Sequence, residues 1–167
     1  MDSQDSVFRW AVDAGAFYTG LVFQSSASRY CTTETVFDEV KHIKKSQGAI
    51  EVLLESNSLQ IINPDKKSIE KVFSAARRTG DYPRLSEADI SIIALALQLE
   101  VPLITDDYAV ANVAATMKIP VKSLATRGIT HTRKWITYCS ACGRTFGATA
   151  KECRLCGNTL RRKYKLI

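Results

Sequence analysis

Several features are scarce or missing in this chain of 167 residues, and each absence argues against a class of protein. Histidine occurs only at His42 and His131, which disfavours a hydrolase built on a histidine base. The most apolar window, Ile90–Leu99, is too short to cross a bilayer. The acidic start Met1–Asp5 lacks the basic and apolar regions of a secretory signal. We therefore expect a cytoplasmic protein.

Disulfide bonds are not expected either, although the chain contains five cysteines. Four of them form two Cys-x-x-Cys pairs, a spacing that is typical of metal ligands in a reducing compartment. The fifth, Cys31, is expected to be a small buried side chain.

The formal net charge of +6 conceals a sharp division along the chain. Residues 1–121 carry 12 Lys and Arg against 16 Asp and Glu, a net charge of −4. Residues 122–167 carry 11 Lys and Arg against one acid, a net charge of +10. This asymmetry indicates a polyanionic partner, with nucleic acid as the first candidate and a solvated basic tail as the alternative.

Short apolar runs alternate with helical segments, which is the pattern of a parallel sheet covered on both faces. Predicted strands cover 8–12, 59–63, 103–105 and 121–124, and predicted helices cover 14–23, 33–46, 49–56, 65–79, 86–100 and 108–118. We therefore predict a three-layer α/β domain over residues 1–124 and a second, smaller module. In this division residues 125–134 form a linker, residues 135–161 the module, and residues 162–167 a basic tail.

Acidic side chains lie at the ends of predicted strands and on the apolar sides of predicted helices. Asp13 directly follows the first strand, and Asp106 and Asp107 end a later one. At 100° per residue, Glu39 and Asp89 fall on the apolar stripes of their helices. A carboxylate in such a position is unfavourable unless it is paired or binds a cation.

Each of these acids also has a purely structural explanation. Asp13 can cap the helix that follows it, and Ser86 can form a capping box with Asp89. Either Asp106 or Asp107 can cap the next helix, which would leave the other to face the sheet edge. The glutamate can reach solvent from the edge of its helix.

In an open α/β sheet, however, strand ends and helix starts meet at one rim, which is where ligands bind. Crowded carboxylates raise each other's pKa unless a cation lies between them. A cluster of hard oxygen ligands suits Mg²⁺ or Mn²⁺, and such ions promote phosphodiester cleavage. The sequence therefore predicts a metal-dependent nuclease site at this rim.

The four acidic motifs resemble those of PIN-domain ribonucleases over about residues 8–124. They are Val-Asp-Ala-Gly-Ala-Phe around Asp13, Phe-Asp-Glu-Val around Glu39, Ser-Glu-Ala-Asp-Ile around Asp89, and Thr105-Asp106-Asp107-Tyr108. The resemblance implies that Asp13, Asp89 and Asp107 hold Mn²⁺ or Mg²⁺, with Glu39 in support. It also implies that Asp106 has a secondary role at the metal site and that the hydroxyl of Thr105 makes a neighbouring contact.

Two near-identical Cys-x-x-Cys-Gly knuckles follow, and their candidate metal ligands are Cys139, Cys142, Cys153 and Cys156. Four thiolates without a histidine favour a closed, tetrahedral structural Zn²⁺ site, with a redox pair or bound iron as alternatives. The candidate core of this zinc ribbon is very small and consists mainly of Tyr138, Phe146, Leu155 and Leu160. The metal is therefore expected to supply most of its stability.

Cations and aromatic side chains surround the knuckles, which suits RNA because phosphate contact and base stacking act together. The candidate RNA-binding residues are Arg133, Lys134, Arg144, Arg154, Arg161, Arg162 and Lys163. Trp135 and Tyr138 lie beside them, although core packing explains these two rings equally well. Because a net-negative domain holds RNA poorly without metal, the basic module is expected to supply the RNA affinity.

A PIN domain followed by one C-terminal zinc ribbon resembles the Nin-one-binding (Nob) endonucleases. The string Thr-Asp-Asp-Tyr-Ala-Val-Ala-Asn-Val at 105–113 and the opening Trp-x-x-x-Cys-x-x-Cys-Gly at 135–143 carry this resemblance. It implies a single-strand endoribonuclease that removes the 3′ extension of the small-subunit (16S/18S-type) precursor rRNA within the pre-small-subunit particle. The compact length resembles archaeal members. The alternatives are a non-catalytic RNA-binding assembly factor and a toxin-type PIN ribonuclease.

Overall fold

A five-stranded parallel sheet organises the N-terminal part of the chain. The computed structural model describes residues 10–24, 28–43, 47–124 and 133–166. The strands of this sheet are β1 (Trp10–Val12), β2 (Tyr30–Thr32), β3 (Leu59–Ile61), β4 (Leu103–Ile104) and β5 (Val121–Lys122). Their order across the sheet is β3-β2-β1-β4-β5 with every pair parallel, so the predicted parallel α/β class is confirmed.

Helices connect these strands and cover the sheet. They are α1 (Ala14–Tyr18), α2 (Glu34–Val40), α3 (Gln47–Glu55), α4 (Lys66–Thr79), α5 (Glu87–Leu99) and α6 (Tyr108–Thr116), with short 3₁₀ turns at Leu21–Phe23 and Tyr82–Arg84. Helix α5 is the central one because nearly all of its residues from Ala88 to Ala96 are buried. In the part of the chain that the structure describes, no helix is long and apolar enough to span a membrane.

Strand β2 is the main departure from the sequence prediction, which contained no strand there. Its three residues are too few for a periodic signal, and buried Cys31 behaves as expected within it. The predicted helix 14–23 instead ends at Tyr18, because Gly20 adopts a left-handed φ of +75° that an α-helix cannot continue. Helix α2 likewise ends at Val40, and residues 44–46 of the predicted helix lie outside the described residues.

The register of the parallel sheet decides which side chains meet at its rim. Val12 of β1 pairs with Ile104 of β4, so the next residues of these strands, Asp13 and Thr105, leave the sheet side by side. The backbone N–H of Asp13 donates to the carbonyl of Ile104 at 3.2 Å, which continues the pairing up to the rim. The pairing of β1 with β4 therefore places the carboxylate of Asp13, in the first acidic motif, next to the hydroxyl of Thr105, in the fourth.

A second, antiparallel sheet forms the C-terminal module. It consists of β6 (Arg133–Tyr138), β7 (Thr145–Phe146) and β8 (Arg161–Leu166) in the order β7-β6-β8. Arg133 and Lys134, which the sequence prediction assigned to the linker, lie in β6. Residues 125–132 of the predicted linker fall outside the described residues.

A buried carboxylate joins the two sheets. Asp81, just after α4, is 0% exposed, and each of its carboxylate oxygens accepts a hydrogen bond. Asn112 of α6 donates at 2.7 Å to one oxygen, and the indole N–H of Trp135 in β6 donates at 2.8 Å to the other. Because burying an unpartnered carboxylate is unfavourable, the C-terminal module completes a polar network of the N-terminal domain.

Gly80 makes the second half of this junction. Its carbonyl accepts a hydrogen bond from the guanidinium of Arg162 at 2.6 Å, and that guanidinium stacks 4.9 Å from the centre of the Trp135 ring. A Cβ atom at Gly80 would lie only 2.7 Å from the Cβ atoms of Trp135 and Ala148. The residue must therefore be glycine for the two modules to approach this closely.

Gly80→Ala is expected to separate the modules, whereas Gly20→Ala serves as a matched control. Both glycines have a left-handed φ, but a Cβ at Gly20 meets no atom closer than 3.9 Å. Both variants should lose about 1–2 kcal/mol from backbone strain, and only Gly80→Ala should speed hydrogen exchange at the Trp135 indole. Urea titration and NMR measure the two effects. An equally protected indole in both variants would contradict the docking described here.

Candidate active site

Asp13 is the anchor of the acidic rim. One oxygen of its carboxylate accepts a hydrogen bond from the N–H of Ala14 at 2.7 Å, so Asp13 caps α1 as the capping hypothesis expected. The other oxygen accepts a hydrogen bond from the hydroxyl of Thr105 at 2.8 Å. That hydroxyl is 1% exposed and in turn accepts the N–H of Asp107 at 3.0 Å. Thr105 thus links the first and fourth acidic motifs.

The two aspartates after β4 have different partners. Asp107 caps α6, because one of its oxygens accepts the N–H groups of Ala109 and Val110 at 2.7 and 3.1 Å. Asp106 instead accepts the hydroxyl of Ser123 at 2.6 Å and the N–H of Leu124 at 2.7 Å, so it fastens the end of β5. Asp107 therefore both caps α6 and lies near Asp13. The sequence analysis had expected one aspartate to cap the helix and the other to face the sheet edge.

Asp89 has the capping role that the sequence predicted. Its carboxylate accepts the N–H of Ser86 at 2.7 Å, and its own N–H donates to the hydroxyl of Ser86 at 3.1 Å, which completes the predicted capping box. A carboxylate has two oxygens, so the second remains available at the rim. Glu39 lies on an exposed part of α2, while neighbouring Asp38 points away and pairs with Lys41 at 2.7 Å.

Electrostatic repulsion and burial affect the pKa values of the acids at the rim. The pKa of Asp13 is raised, first because burial disfavours its charged form and further because Asp89 and Asp107 are close, although its two hydrogen bonds act in the opposite direction. The pKa of Glu39 is also raised, by partial burial and then by Asp89 and Asp13. Asp13 thus interacts with each of the other three predicted acids, and a cation among them would relieve the repulsion.

The acidic side chains fit a divalent metal chemically. They offer carboxylate oxygens, a buried charge and mutual repulsion, which is the donor set that Mg²⁺ and Mn²⁺ prefer. Their oxygens are nevertheless spread more widely than the thiols of the knuckles, which form the one group of described residues whose ligand atoms all lie within 4.8 Å. Carboxylates repel one another when no cation is between them, so a wider spacing is expected.

A hydroxyl network beside the acids escaped the sequence analysis. Ser91 lies two residues after Asp89 on α5, and its buried hydroxyl contacts those of Thr33 and Thr35 on α2 at 2.6 and 2.7 Å. It also donates to the carbonyl of Ala88 at 2.8 Å. The network fixes α2, which carries Glu39, against α5. The feature of the sequence that could have predicted this network is Ser91, a polar residue inside the most apolar window of the chain.

A cavity of about 620 Å³ opens between α2 and the first turns of α4 and α5. Ser86 and Glu87 at the start of α5 and Asp38 on α2 form part of its wall. The rings of Phe73 and Tyr82, whose centroids are 5.7 Å apart, form another part. The cavity thus combines aromatic faces with carboxylate acceptors, and its lining does not include Asp13, Glu39, Asp89 or Asp107.

The four cysteines converge as their spacing predicts. The sulfurs of Cys139 and Cys156 are 3.5 Å apart, and those of Cys142 and Cys153 are 3.6 Å apart. A tetrahedral zinc–thiolate site with bonds of about 2.3 Å requires sulfurs about 3.8 Å apart, so the arrangement fits Zn²⁺. A hydrogen bond from the N–H of Cys142 lowers the pKa of Cys139 to about 6, which favours the thiolate that a metal binds.

The two knuckles share the same backbone geometry. Gly143 and Gly157, which follow the second cysteine of each pair, have φ values of +72° and +68°. Their N–H groups donate to the carbonyls of Cys139 and Cys153 at 2.9 and 2.8 Å. One core expectation is wrong, because Leu155 is 59% exposed and leaves the module with even less apolar mass than predicted.

The candidate RNA-binding cations do not all face the same way. Lys134, Arg144, Arg154, Arg161 and Lys163 are exposed, and the side chain of Arg133 lies outside the described residues. Arg162 is directed at the junction by its bond to the Gly80 carbonyl. The ring of Trp135 belongs to the same junction, so packing rather than base stacking accounts for this aromatic side chain.

Comparisons with known proteins agree with this architecture. The family model of the PIN domain of ribonucleases matches residues 11–99. The chain is 36% identical to "Endoribonuclease Nob1" of Pyrococcus abyssi over 81% of this chain and 80% of the relative. It is 33% identical to "Endoribonuclease Nob1" of Methanothermobacter thermautotrophicus over 91% of both chains. It is 36% identical to "20S-pre-rRNA D-site endonuclease NOB1" of Saccharomyces cerevisiae over 52% of this chain and 18% of the relative.

The two archaeal matches extend over most of this chain, 81% and 91% of it. PIN nucleases are metal-dependent hydrolases, and the acidic rim supplies the ligands that such chemistry needs. The chain therefore belongs to the PIN-domain ribonucleases and, within them, to the Nob1 family of endoribonucleases.

Proposed function

We propose that this protein matures the 3′ end of small-subunit precursor rRNA as a metal-dependent, single-strand endoribonuclease in ribosome biogenesis. The observation that carries the proposal is the half-buried Asp13 carboxylate, whose pKa is raised by burial and by Asp89 and Asp107. The name of the yeast relative, a 20S-pre-rRNA D-site endonuclease, supports the substrate. In this proposal residues 1–124 cut, residues 135–161 form the zinc ribbon that anchors the RNA, and residues 125–134 connect them.

Each acidic residue has a distinct task in the proposed mechanism. Asp13, Asp89 and Asp107 would hold Mn²⁺ or Mg²⁺, and Glu39 would support the site from α2. A bound ion would supply Lewis-acid chemistry for phosphodiester hydrolysis, by polarising a phosphate oxygen and activating water. Thr105 keeps Asp13 oriented by donating to its oxygen at 2.8 Å. Hydrolysis by water leaves a 3′-hydroxyl and a 5′-phosphate.

The exposed face of the β6–β8 ribbon suits the anchoring role. Lys134 lies opposite Lys165, and Tyr138 lies opposite Arg161, so these side chains share one face. The ammonium of Lys163 lies 4.7 Å from the centre of the Tyr138 ring on the same face. Cations around an aromatic ring favour a phosphate backbone with a stacked base. The opposite face of the two strands docks on the N-terminal domain.

A non-catalytic RNA-binding assembly factor is the second candidate function. The presence of all four acids disfavours a non-catalytic protein. Four carboxylates close together repel one another, which has no benefit unless they bind a metal ion. A toxin-type ribonuclease acting on tRNA or mRNA is disfavoured by the zinc ribbon, which such a role does not require. Mapping the cuts on precursor rRNA and on a tRNA pool with Mn²⁺ distinguishes all three functions.

Asp107→Asn is expected to lower the cleavage rate about 100-fold or more, because it removes a charged metal ligand. Asparagine also caps helices well, so α6 should keep its stability. Asp106→Asn is the matched comparison and should lower the rate less than about tenfold, since Asp106 fastens β5. Single-turnover cleavage and RNA binding by gel shift measure the two effects. Wild-type cleavage by the Asp107 variant would refute the site assignment.

Asp13→Asn should stabilise the protein without Mg²⁺ or Mn²⁺ at neutral pH while abolishing the binding of these ions. The folded-state pKa of Asp13 is raised, so protonation favours the folded chain. This stabilisation is complete below the ordinary pKa of aspartate, about 3.9, and is lost as the pH rises through the raised value. Melting curves of the zinc-loaded protein without Mg²⁺ or Mn²⁺, from pH 4 to 8, test this, with Mn²⁺ added in a parallel series. A variant that melts below wild type at pH 8 without added Mg²⁺ or Mn²⁺ would contradict it.

Zinc removal is expected to unfold the C-terminal module and to leave the N-terminal domain intact. The module has little apolar core, so metal binding supplies much of its folding free energy. Cys153→Ser should act in the same way, because it removes one of the four ligands. Zinc content, NMR spectra and cleavage of a short oligonucleotide measure the effects. Cleavage of the short substrate should survive, whereas affinity for long RNA should fall; an unchanged NMR spectrum after zinc loss would argue against a structural metal.

A further inference from the structure

We propose that the outer face of α4 is a second RNA-binding surface, which takes the phosphodiester backbone of a structured part of the precursor. Helix α4 carries Lys66, Lys67, Lys71, Arg77 and Arg78. These are five of the 12 Lys and Arg in residues 1–121, and Glu70 is the one acid within the helix. An otherwise acidic domain thus concentrates its positive charge on a single helix.

The cations form a straight stripe along α4. At 100° per residue, Lys67, Lys71 and Arg78 fall within about 40° of one another and span about 16 Å along the helix. They line an open groove of about 770 Å³ together with Arg77, Glu70, Ser74 and the half-buried Leu97 and Met117. A groove with cations at its edges and a hydroxyl donor between them matches the chemistry of a phosphate backbone.

Positive charge exceeds negative charge on this face of α4. Lys67 and Lys71 are like charges at i and i+4, which destabilise a helix. Glu70 is the one acid within the helix, and Asp65 caps its start, so two acids lie near five cations. Among the residues that the structure describes, the only ion pair joins Lys41 and Asp38, far from α4 in the sequence. The stripe therefore contains repulsion that a bound polyanion would relieve.

The stripe cannot contact the strand that is being cut. Leu97 and Met117, which line the same groove, lie at the C-terminal ends of α5 and α6. Asp89 and Asp107 lie at the opposite, N-terminal ends of these two helices, about 12–15 Å away along the helix axes. RNA on the stripe is consequently another part of the substrate, held by its backbone. An acidic protein segment is the competing occupant, and RNA is favoured because the chain belongs to a ribonuclease family. The inference rests on the proposed function for the identity of the RNA.

The test compares two triple variants of the full zinc-loaded chain. The stripe variant is Lys67→Gln, Lys71→Gln, Arg78→Gln, and the control variant is Arg29→Gln, Arg84→Gln, Lys118→Gln, which removes three exposed cations elsewhere. The probe is a transcript that spans the 3′ end of the precursor rRNA, titrated over a range of salt concentrations. A third variant, Lys67→Arg, Lys71→Arg, Arg78→Lys, retains the charge and checks the fold.

The stripe variant should bind the transcript at least about tenfold more weakly, and the slope of log affinity against log salt should fall by about 3. The control and charge-retaining variants should bind as wild type. Cleavage of a short single-stranded oligonucleotide should be equal in all four proteins, because the stripe lies away from the rim.

Three outcomes would overturn the inference. Equal transcript binding by stripe and control variants would make the stripe a solvated face. Equal transcript binding with selective loss of a polyglutamate peptide would assign the stripe to an acidic protein. Loss of short-oligonucleotide cleavage in the stripe variant alone would mean that the stripe contacts the scissile strand. If wild type itself cuts neither substrate, the proposed function fails, and transcript binding still tests the stripe.

Discussion

The hydrogen bond from Thr105 to Asp13 is the contact on which the acidic rim depends. It exists because Val12 pairs with Ile104 in the parallel sheet, so the residues that follow must emerge together. It holds a carboxylate in a partly desolvated position next to two further carboxylates. This arrangement is unfavourable in isolation, and it becomes favourable once a divalent cation neutralises it. At neutral pH, a divalent metal ion would therefore relieve the repulsion that the fold builds into this rim.

Much of this site could be read from the sequence, because the acids follow strand ends or sit in caps whose signals are local. The capping box of Ser86 and Asp89 and the spacing of the cysteines are of this kind. Strand β2 and the partners of Asp81 could not be read, since three residues carry no period and a buried acid after a helix resembles an ordinary turn. These features depend on residues far away in the chain. Helix-capping signals alone did not rank Asp106 against Asp107, because both can cap a helix. The family resemblance favoured Asp107, and the structure adds that the two residues have different partners.

Charge is segregated on this molecule in a way that suits its chemistry. Negative charge is concentrated at the rim, where a cation and a phosphate must come together. Positive charge lies on the exposed face of β6 and β8 and on the outer side of α4. A uniformly basic protein would hold RNA anywhere along its length, whereas this distribution repels the backbone from the acids except where metal is bound.

The junction at Gly80 and Asp81 also constrains how the protein is made. Both residues are synthesised before any part of the C-terminal module, and their partners Trp135 and Arg162 flank the four cysteines on either side. During translation the nascent ribbon can therefore settle on a completed surface, with Trp135 arriving first and Arg162 closing the contact last. The domain that cuts would then act as an intramolecular template for the domain that anchors.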